Sequence, residues 1–128
     1  MEYIEIDKRV EDLLATLSRR LSAEDIARVK YAYEFAKDAH KEQRRKTGEP
    51  YIVHPIAVAR IVAEELRLGA NPIIAAFLHD VVEDTSYPIE DIEARFGSDV
   101  AFLVNVVTKK KKQHYDSSKQ IDNYKQML

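Results

Sequence analysis

The chain has 128 residues, of which 45% are hydrophobic and 33% charged, a composition typical of one soluble and largely helical domain. Cysteine is absent, which excludes disulfides and thiolate metal sites. The net charge of -2 gives no general attraction to nucleic acids or membranes, and neither a secretory signal nor a membrane-length apolar run occurs, so we expect a cytoplasmic protein that binds neither.

The first two predicted elements are helices. An apolar stripe at helical spacing predicts the first, and it consists of Val10, Leu13, Leu14 and Leu17. Ser22 is typical of an N-cap, with Asp25 three residues on, and it opens a long amphipathic helix of about five or six turns. The apolar face of this second helix consists of Ile26, Val29, Tyr33, Ala36 and His40. Residues 47–50 (TGEP) break the pattern, so residues 44–46 are predicted to form the last helical turn.

Proline marks the beginning of the next two helices. Pro55 suits the first position of a third helix, because its missing N–H is not needed there. The inward face of that helix is predicted to consist of Ile56, Ala59, Val62, Ala63 and Leu66. Asn71 followed by Pro72 predicts the cap and first turn of a fourth helix, which is apolar on nearly every face and should therefore be buried.

The remaining chain predicts shorter elements. Pro88 begins a short acidic helix that Gly97 ends, and Ser98 caps the next helix. A polar connection follows over residues 109–117, and one more helix begins at residue 118. With no strand pattern anywhere, the fold class is predicted to be all-α, a multi-helix bundle around the buried fourth helix.

The fourth helix carries ionisable residues where burial is expected. His79 and Asp80 lie in its apolar stretch, and a buried carboxylate is almost never tolerated without a partner. A metal ion is the simplest partner for both side chains, and His54 offers a second imidazole. Glu83 and Asp84 follow at i+4 and share the same face. Imidazole and carboxylate ligands suit Mn²⁺, Fe²⁺ or Zn²⁺ better than Ca²⁺ or Mg²⁺, so the pattern indicates metal-assisted hydrolysis.

Each of these signals has a simpler alternative. A histidine such as His54 before a proline more often caps a helix, and His40 is more often a core-edge histidine hydrogen-bonded to a neighbour. Residues 44–46 normally form a solvated helix end. Because they run directly into the segment with His54, recognition of phosphate or a base by Arg45 is the competing hypothesis. The lysine run at 109–112 is most often a basic loop.

Four motifs occur in order along nearly the whole chain: residues 45–55 (RKTGEPYIVHP), 77–85 (FLHDVVEDT), 96–100 (FGSDV) and 107–109 (VTK). Together they resemble the hydrolase domain of RelA/SpoT-type proteins, HD-superfamily enzymes that remove the 3′-pyrophosphate of the alarmone (p)ppGpp. The resemblance implies that Mn²⁺, or another divalent metal, is held by His54, His79 and Asp80. It implies that the catalytic pair around the attacking water consists of Glu83 and Asp84. It also implies that the guanine nucleotide is contacted by Arg45, Lys46 and Thr47.

The resemblance also bears on the extent of the chain. In the family, a last metal-ligating aspartate lies in a later Leu-Ala-Asp-Arg-Leu-His-Asn-Met-like motif, and long members continue into a synthetase domain that makes (p)ppGpp. Because the sequence stops before that motif, we expect residues 1–128 to be an N-terminal fragment of a longer, bifunctional enzyme. Such a fragment should bind metal weakly or not at all, hydrolyse (p)ppGpp poorly, and self-associate through an uncovered face that includes Phe102 and Val106.

Two other functions stay open at this stage. The first is hydrolysis of a different nucleotide, because the motifs specify the chemistry better than the substrate. The second is a catalytically silent HD module that regulates a partner domain. Retention of both carboxylate pairs together with the histidines argues against a silent module, which has no physical need for them.

Overall fold

A computed structural model describes residues 2–108 of the chain. Its helices are α1 (Glu2–Leu17), α2 (Ala23–Ala39), α3 (Val53–Arg60), α4 (Ala70–Asp84), α5 (Ile89–Phe96) and α6 (98–108). Within these residues the only β-type pairing is an isolated bridge between Arg44 and Pro50, so the all-α prediction is confirmed. The connection predicted at 109–117 and the last predicted helix lie outside the described residues.

Helix α4 is the buried centre of the bundle. Every residue from 73 to 81 is buried, and the helix packs mainly against α2 on one side and α3 on the other. Full burial of a side chain such as Phe77 or Leu78 contributes roughly 1.5–3 kcal/mol to folding. The prediction of a buried central helix is confirmed, and it means that any polar side chain in this stretch must find its partners inside the protein.

Helix α2 begins as predicted but ends earlier. The Ser22 side chain accepts a hydrogen bond from the amide of Asp25 at 3.1 Å, which confirms the N-cap. The helix ends at Ala39, so the prediction that residues 44–46 form its last turn is wrong. They lie instead in a hairpin-like loop, residues 43–51, whose backbone is paired across its two sides. Gly48 has φ +91°, a value that favours glycine, and it allows the tight turn at the tip of this loop.

Helices α3 and α4 both begin earlier in the sequence than predicted. Helix α3 begins at Val53, and Pro55 lies in its first turn, where a missing N–H still costs no helical hydrogen bond. Helix α4 begins at Ala70, so Asn71 is not its cap. The Asn71 side-chain oxygen instead accepts a hydrogen bond from Arg28 of α2 at 2.7 Å, a tertiary contact that outweighs its capping preference.

Helix α3 continues into a π-helical turn, Ile61–Glu65, which changes the face presented to the core. Ala63 is buried there, but Leu66 is 58% exposed, so its predicted inward orientation is wrong. The wider turn rotates the following side chains relative to a regular α-helix, and Arg67, at φ +54°, then ends the element.

The C-terminal part of the described chain follows the predicted boundaries except at the beginning of α6. That helix begins at residue 98, and the Gly97 carbonyl accepts its first hydrogen bond, from the Ala101 amide at 3.1 Å, so the prediction that Ser98 is the cap is wrong. Pro88 immediately precedes α5 and Gly97 follows it with φ +97°. On α6, Phe102 is 66% exposed and Val106 is half-buried in a groove lined by α3, α4 and α6, and self-association through these residues stays a prediction. None of the helices described over residues 2–108 combines the length and the hydrophobicity needed to cross a membrane.

The cap of α2 generates a stability prediction. Substitution Ser22→Ala leaves the Asp25 amide without its side-chain acceptor and should lower the free energy of unfolding by about 1 kcal/mol. Ser18→Ala is the matched control, because that exposed hydroxyl donates only to the Ala15 carbonyl, and it should change stability by less than about 0.5 kcal/mol. Urea unfolding followed by circular dichroism measures both. Equal losses would contradict the capping role.

Candidate metal centre

Three side chains from two helices converge next to the core. His54 lies in the first turn of α3, and His79 and Asp80 lie in the buried stretch of α4. Oδ2 of Asp80 is 3.3 Å from Nε2 of His54 and 3.2 Å from Nε2 of His79. Asp80 has no exposed surface and His79 is 6% exposed, whereas His54 is partly open to solvent. The three residues predicted as metal ligands are therefore brought together.

The orientation of His79 is fixed by its own helix. Its Nδ1 lies 2.7 Å from the carbonyl oxygen of Ala76, so Nδ1–H donates there in the neutral tautomer. The other ring nitrogen, Nε2, then presents a lone pair towards Asp80 and His54. Such a hydrogen bond on the far side of a ligating imidazole is the usual means of setting its tautomer and orientation.

The donor set fits a divalent metal ion. One donor atom from each of the three residues lies within 4.8 Å of the others. Atoms that bind one ion at about 2.1 Å each are separated by roughly 3 Å when they are adjacent ligands, close to the 3.2 and 3.3 Å contacts found here. Two imidazoles and one carboxylate are a set suited to Mn²⁺, Fe²⁺ or Zn²⁺. His54, His79 and Asp80 could hold such an ion without rearrangement of the backbone.

The two carboxylates predicted to be catalytic lie where α4 emerges from the core. Glu83 and Asp84 are both exposed, one helical turn beyond the buried His-Asp pair. Asp84 is connected to the centre, because its Oδ2 lies 3.1 Å from the same tyrosine hydroxyl that contacts Asp80. Glu83 lies beside it on the exposed turn. Carboxylates in this position can reach both solvent and a ligand bound over the centre.

Tyr51 is the functional-site residue that the sequence did not single out. Its hydroxyl lies 2.9 Å from Oδ2 of Asp80 and 3.1 Å from Oδ2 of Asp84. Burial, together with the hydrogen bond and the negative charge of Asp80, raises the pKa of the phenol, so it stays a donor at neutral pH. The signal available beforehand was the need of a buried carboxylate for a donor, but nothing in the spacing identified which hydroxyl supplies it.

The hairpin-like loop that contains Tyr51, residues 43–51, also carries the basic residues and is called the basic loop from here on. The Arg45 guanidinium lies 5.9 Å from the centre of the Tyr51 ring, within range of a cation–π contact. Lys46 and Thr47 are exposed at the turn of the loop. Arg44 has a different role, since it pairs with Glu2 at 2.7 Å and also donates to a carbonyl of its own loop. Of the predicted substrate-binding residues, the structure thus brings Arg45 next to the centre.

His40 is a core-edge histidine bonded to a neighbour, as its simpler interpretation predicted. It is 1% exposed, its Nδ1 lies 2.7 Å from Oε1 of Gln43, and its ring packs 4.6 Å from the ring of Tyr51. Burial lowers the pKa of His40, so a neutral ring lies behind the site. Gln43 also donates from Nε2 to the backbone carbonyl of Asp84 at 2.5 Å, which links the loop to the end of α4.

Comparison with known proteins identifies related chains. The sequence model of the HD-domain family matches residues 32–128. A guanosine-3′,5′-bis(diphosphate) 3′-pyrophosphohydrolase of Aquifex aeolicus is 47% identical over 125 residues, covering 98% of this chain and 17% of that protein. The bifunctional (p)ppGpp synthase/hydrolase SpoT of Escherichia coli is 42% identical over 120 residues, covering 92% of this chain and 17% of that protein. The chain thus spans about a sixth of the length of these curated relatives.

A solved structure is similar as well. It is that of a metazoan ortholog of SpoT, described as hydrolysing ppGpp and acting in starvation responses. It superposes with a TM-score of 0.59 at 39% sequence identity, over 62% of this chain and 46% of that one. The all-α architecture around α4 is therefore shared with a protein of known structure.

The donor set generates a metal-binding prediction. Asp80→Asn replaces the buried carboxylate by a neutral group of the same size and should lower divalent-metal affinity by at least about 10- to 100-fold. Asp7→Asn is the control, because Asp7 also accepts a tyrosine hydrogen bond but at the interface of α1 and α2. Elemental analysis after dialysis against metal measures both. Equal metal content in the two variants would exclude Asp80 as a ligand.

Proposed function

Because this chain belongs to the HD-domain family and is homologous to SpoT-type pyrophosphohydrolases, we propose that it hydrolyses the 3′-pyrophosphate of (p)ppGpp in a metal-dependent reaction. The resemblance inferred from the motifs is confirmed by these relatives. The observation that carries the proposal is the group of half-buried His54 with buried His79 and Asp80, which lies next to the exposed carboxylates at the end of α4. A purely structural histidine–aspartate cluster would need no such carboxylates beside it.

The proposed metal is Mn²⁺, held by His54, His79 and Asp80. Their nitrogen and oxygen donors support this choice, together with the nucleotide pyrophosphate expected as substrate. When bound, such an ion supplies Lewis-acid polarisation of a phosphoryl oxygen and makes a water molecule more acidic. The protein contributes the fixed orientation of the donors, through the His79–Ala76 hydrogen bond, and the apolar surroundings that exclude bulk water.

The proposed catalytic residues are Glu83 and Asp84. Hydrolysis forms a bond from the water oxygen to phosphorus and breaks the bond from phosphorus to the ribose 3′ oxygen. One carboxylate accepts the proton that the water loses, and the departing 3′ oxygen gains a proton. Because both side chains are exposed, either can exchange that proton with solvent afterwards. General base catalysis of this kind contributes typically about 10²- to 10⁴-fold to the rate.

The proposed substrate-binding residues are Arg45, Lys46 and Thr47. The loop supplies two cationic side chains, and its Tyr51 contacts the carboxylates of Asp80 and Asp84. An anionic substrate needs such positive charge to approach these carboxylates. Arg45 supports this role best, since its guanidinium lies 5.9 Å from the centre of the Tyr51 ring and is a group that can stack on a base. The hydroxyl of Thr47 is available to a phosphate or ribose oxygen.

The decisive experiment is an assay of the purified full-length gene product with ppGpp and Mn²⁺. Release of pyrophosphate and GDP in equal amounts, lost on chelation and restored by Mn²⁺, is the expected result. Nucleoside triphosphates and deoxynucleotides serve as competing substrates. Faster hydrolysis of one of these would assign the site to a different nucleotide, and metal binding without hydrolysis of any of them would point to a regulatory module.

Ligand and catalytic roles can be separated by substitution. Glu83→Gln should reduce turnover by about 10²-fold or more while metal content stays unchanged, because it removes a proton acceptor but no predicted ligand. Glu90→Gln, on the exposed first turn of α5, is the matched control and should leave both unaffected. Turnover is followed by pyrophosphate release and metal by elemental analysis. If Glu83→Gln removed the metal, the residue would belong with the ligands instead.

A second substitution tests substrate recognition. Arg45→Ala should raise KM for ppGpp about tenfold or more with a smaller change in kcat, the pattern of lost uniform binding. Arg95→Ala is the control, because its guanidinium also lies over an aromatic ring, Phe35, but belongs to α5 and lies outside the site. Steady-state kinetics with ppGpp measure both. An unchanged KM for the Arg45 variant would mean that Arg45 is a solvated loop residue that does not contact the substrate.

A further inference from the structure

Tyr51 stands between two carboxylates of the same helix. Asp80 and Asp84 are one turn apart on α4, and like charges at this spacing repel each other. The Tyr51 hydroxyl contacts an oxygen of each, at 2.9 and 3.1 Å. A phenol carries one proton, so the two carboxylates share a single donor. That shared hydrogen bond lowers the repulsion and sets the distance between the two groups.

The ring that carries this hydroxyl is itself fixed. The amide of Tyr51 donates to the carbonyl oxygen of Gln43 at 3.0 Å, and the ring packs against buried His40 with 4.6 Å between centroids. Gln43 also bonds the Asp84 carbonyl, so the loop and the end of α4 are joined on both sides of the phenol. The hydroxyl therefore has little freedom to follow the carboxylates, and the carboxylates must instead adapt to it.

We propose that Tyr51 is a positioning residue. Its hydroxyl holds the metal-binding carboxylate of Asp80 and the catalytic carboxylate of Asp84 at a fixed separation, and its ring supports the guanidinium of Arg45. The proposal rests on the proposed function for the roles of Asp84 and Arg45. It assigns two separable tasks to one side chain, because the hydroxyl faces the carboxylates and the ring face lies under the guanidinium.

The two tasks predict different effects of two substitutions. Tyr51→Phe removes the hydroxyl and keeps the ring, so it should lower Mn²⁺ affinity about tenfold and lower kcat while KM for ppGpp stays within about twofold. Tyr51→Leu removes the ring as well and should also raise KM, towards the value of Arg45→Ala. If Tyr51 were merely structural, the two substitutions would not affect Mn²⁺ affinity, kcat and KM separately in this way.

Tyr33→Phe is the matched control. Tyr33 is a buried tyrosine whose hydroxyl, like that of half-buried Tyr51, donates to an aspartate, but its partner is Asp7, at the interface of α1 and α2. The control loses the same kind of hydrogen bond and a comparable amount of stability. Its Mn²⁺ affinity and kinetics should equal those of the unsubstituted protein, so any general effect of losing a tyrosine hydroxyl that donates to an aspartate is subtracted.

The measurement uses the full-length gene product and begins without substrate. Mn²⁺ affinity is determined by electron paramagnetic resonance of the free ion, and kcat is then measured at saturating Mn²⁺. Weaker Mn²⁺ binding together with a kcat that stays low at saturation supports both halves of the hydroxyl's role. A kcat fully restored by excess Mn²⁺ would overturn the part that concerns Asp84. Affinity within twofold of the unsubstituted protein, or an equal loss in Tyr33→Phe, would overturn the proposal.

The proposed function can fail independently of this inference. If the unsubstituted protein binds Mn²⁺ but releases no pyrophosphate from ppGpp, the substrate assignment is wrong. The comparison of Mn²⁺ affinity between Tyr51→Phe and Tyr33→Phe would still decide whether the Tyr51 hydroxyl holds the carboxylate of Asp80.

Discussion

The carboxylate of Asp80 is the constraint on which the arrangement of this protein depends. It has no exposed surface and lies in a buried stretch of α4, residues 73–81, that is apolar apart from Asp80 itself and His79. An ionised carboxylate in such a place costs several kcal/mol unless charges and hydrogen bonds compensate it. The Tyr51 hydroxyl donates a hydrogen bond to it. Nε2 of His54 and Nε2 of His79 lie 3.3 and 3.2 Å away, so a divalent ion held by all three side chains would supply the compensating positive charge. His54 of α3 and Tyr51 of the loop thus both meet α4 at this one side chain.

Helix α4 combines burial and exposure along its own length. Up to Val81 it is enclosed by α2 and α3, and the last turn, with Glu83 and Asp84, reaches solvent. The proposed ligands His79 and Asp80 therefore lie in an apolar environment that strengthens their electrostatic interactions, while the proposed proton acceptors are exposed to water. The end of the helix is also anchored, because the Gln43 side chain supplies a donor to the Asp84 carbonyl, one of those that a helix leaves unpaired.

Local signals in the sequence were sufficient for the helices, the central position of α4 and the grouping of His54, His79 and Asp80. Each of these depends on spacing within one segment, or on the rule that a buried carboxylate needs a partner. The end of α2, the exposed Leu66 and the role of Asn71 could not be predicted in the same way. They are decided by a loop paired across its own backbone, by a π-helical turn and by an arginine from another helix. Tyr51 belongs to this second group, because its partners lie 29 and 33 residues away.

The loop that carries Tyr51 positions the proposed substrate contact, Arg45, relative to the carboxylates at the end of α4. Loops are usually less well ordered than helices, and a site built on one loses accuracy unless the loop is braced. Here the brace is complete on both sides, with backbone pairing from Gln43 to Tyr51 and side-chain bonds from both residues to the end of α4. Arg45 extends from this braced segment, so the position of the proposed substrate contact is set by the same atoms that set the carboxylates. A change in the register of the loop would therefore displace the cationic and the anionic halves of the site together.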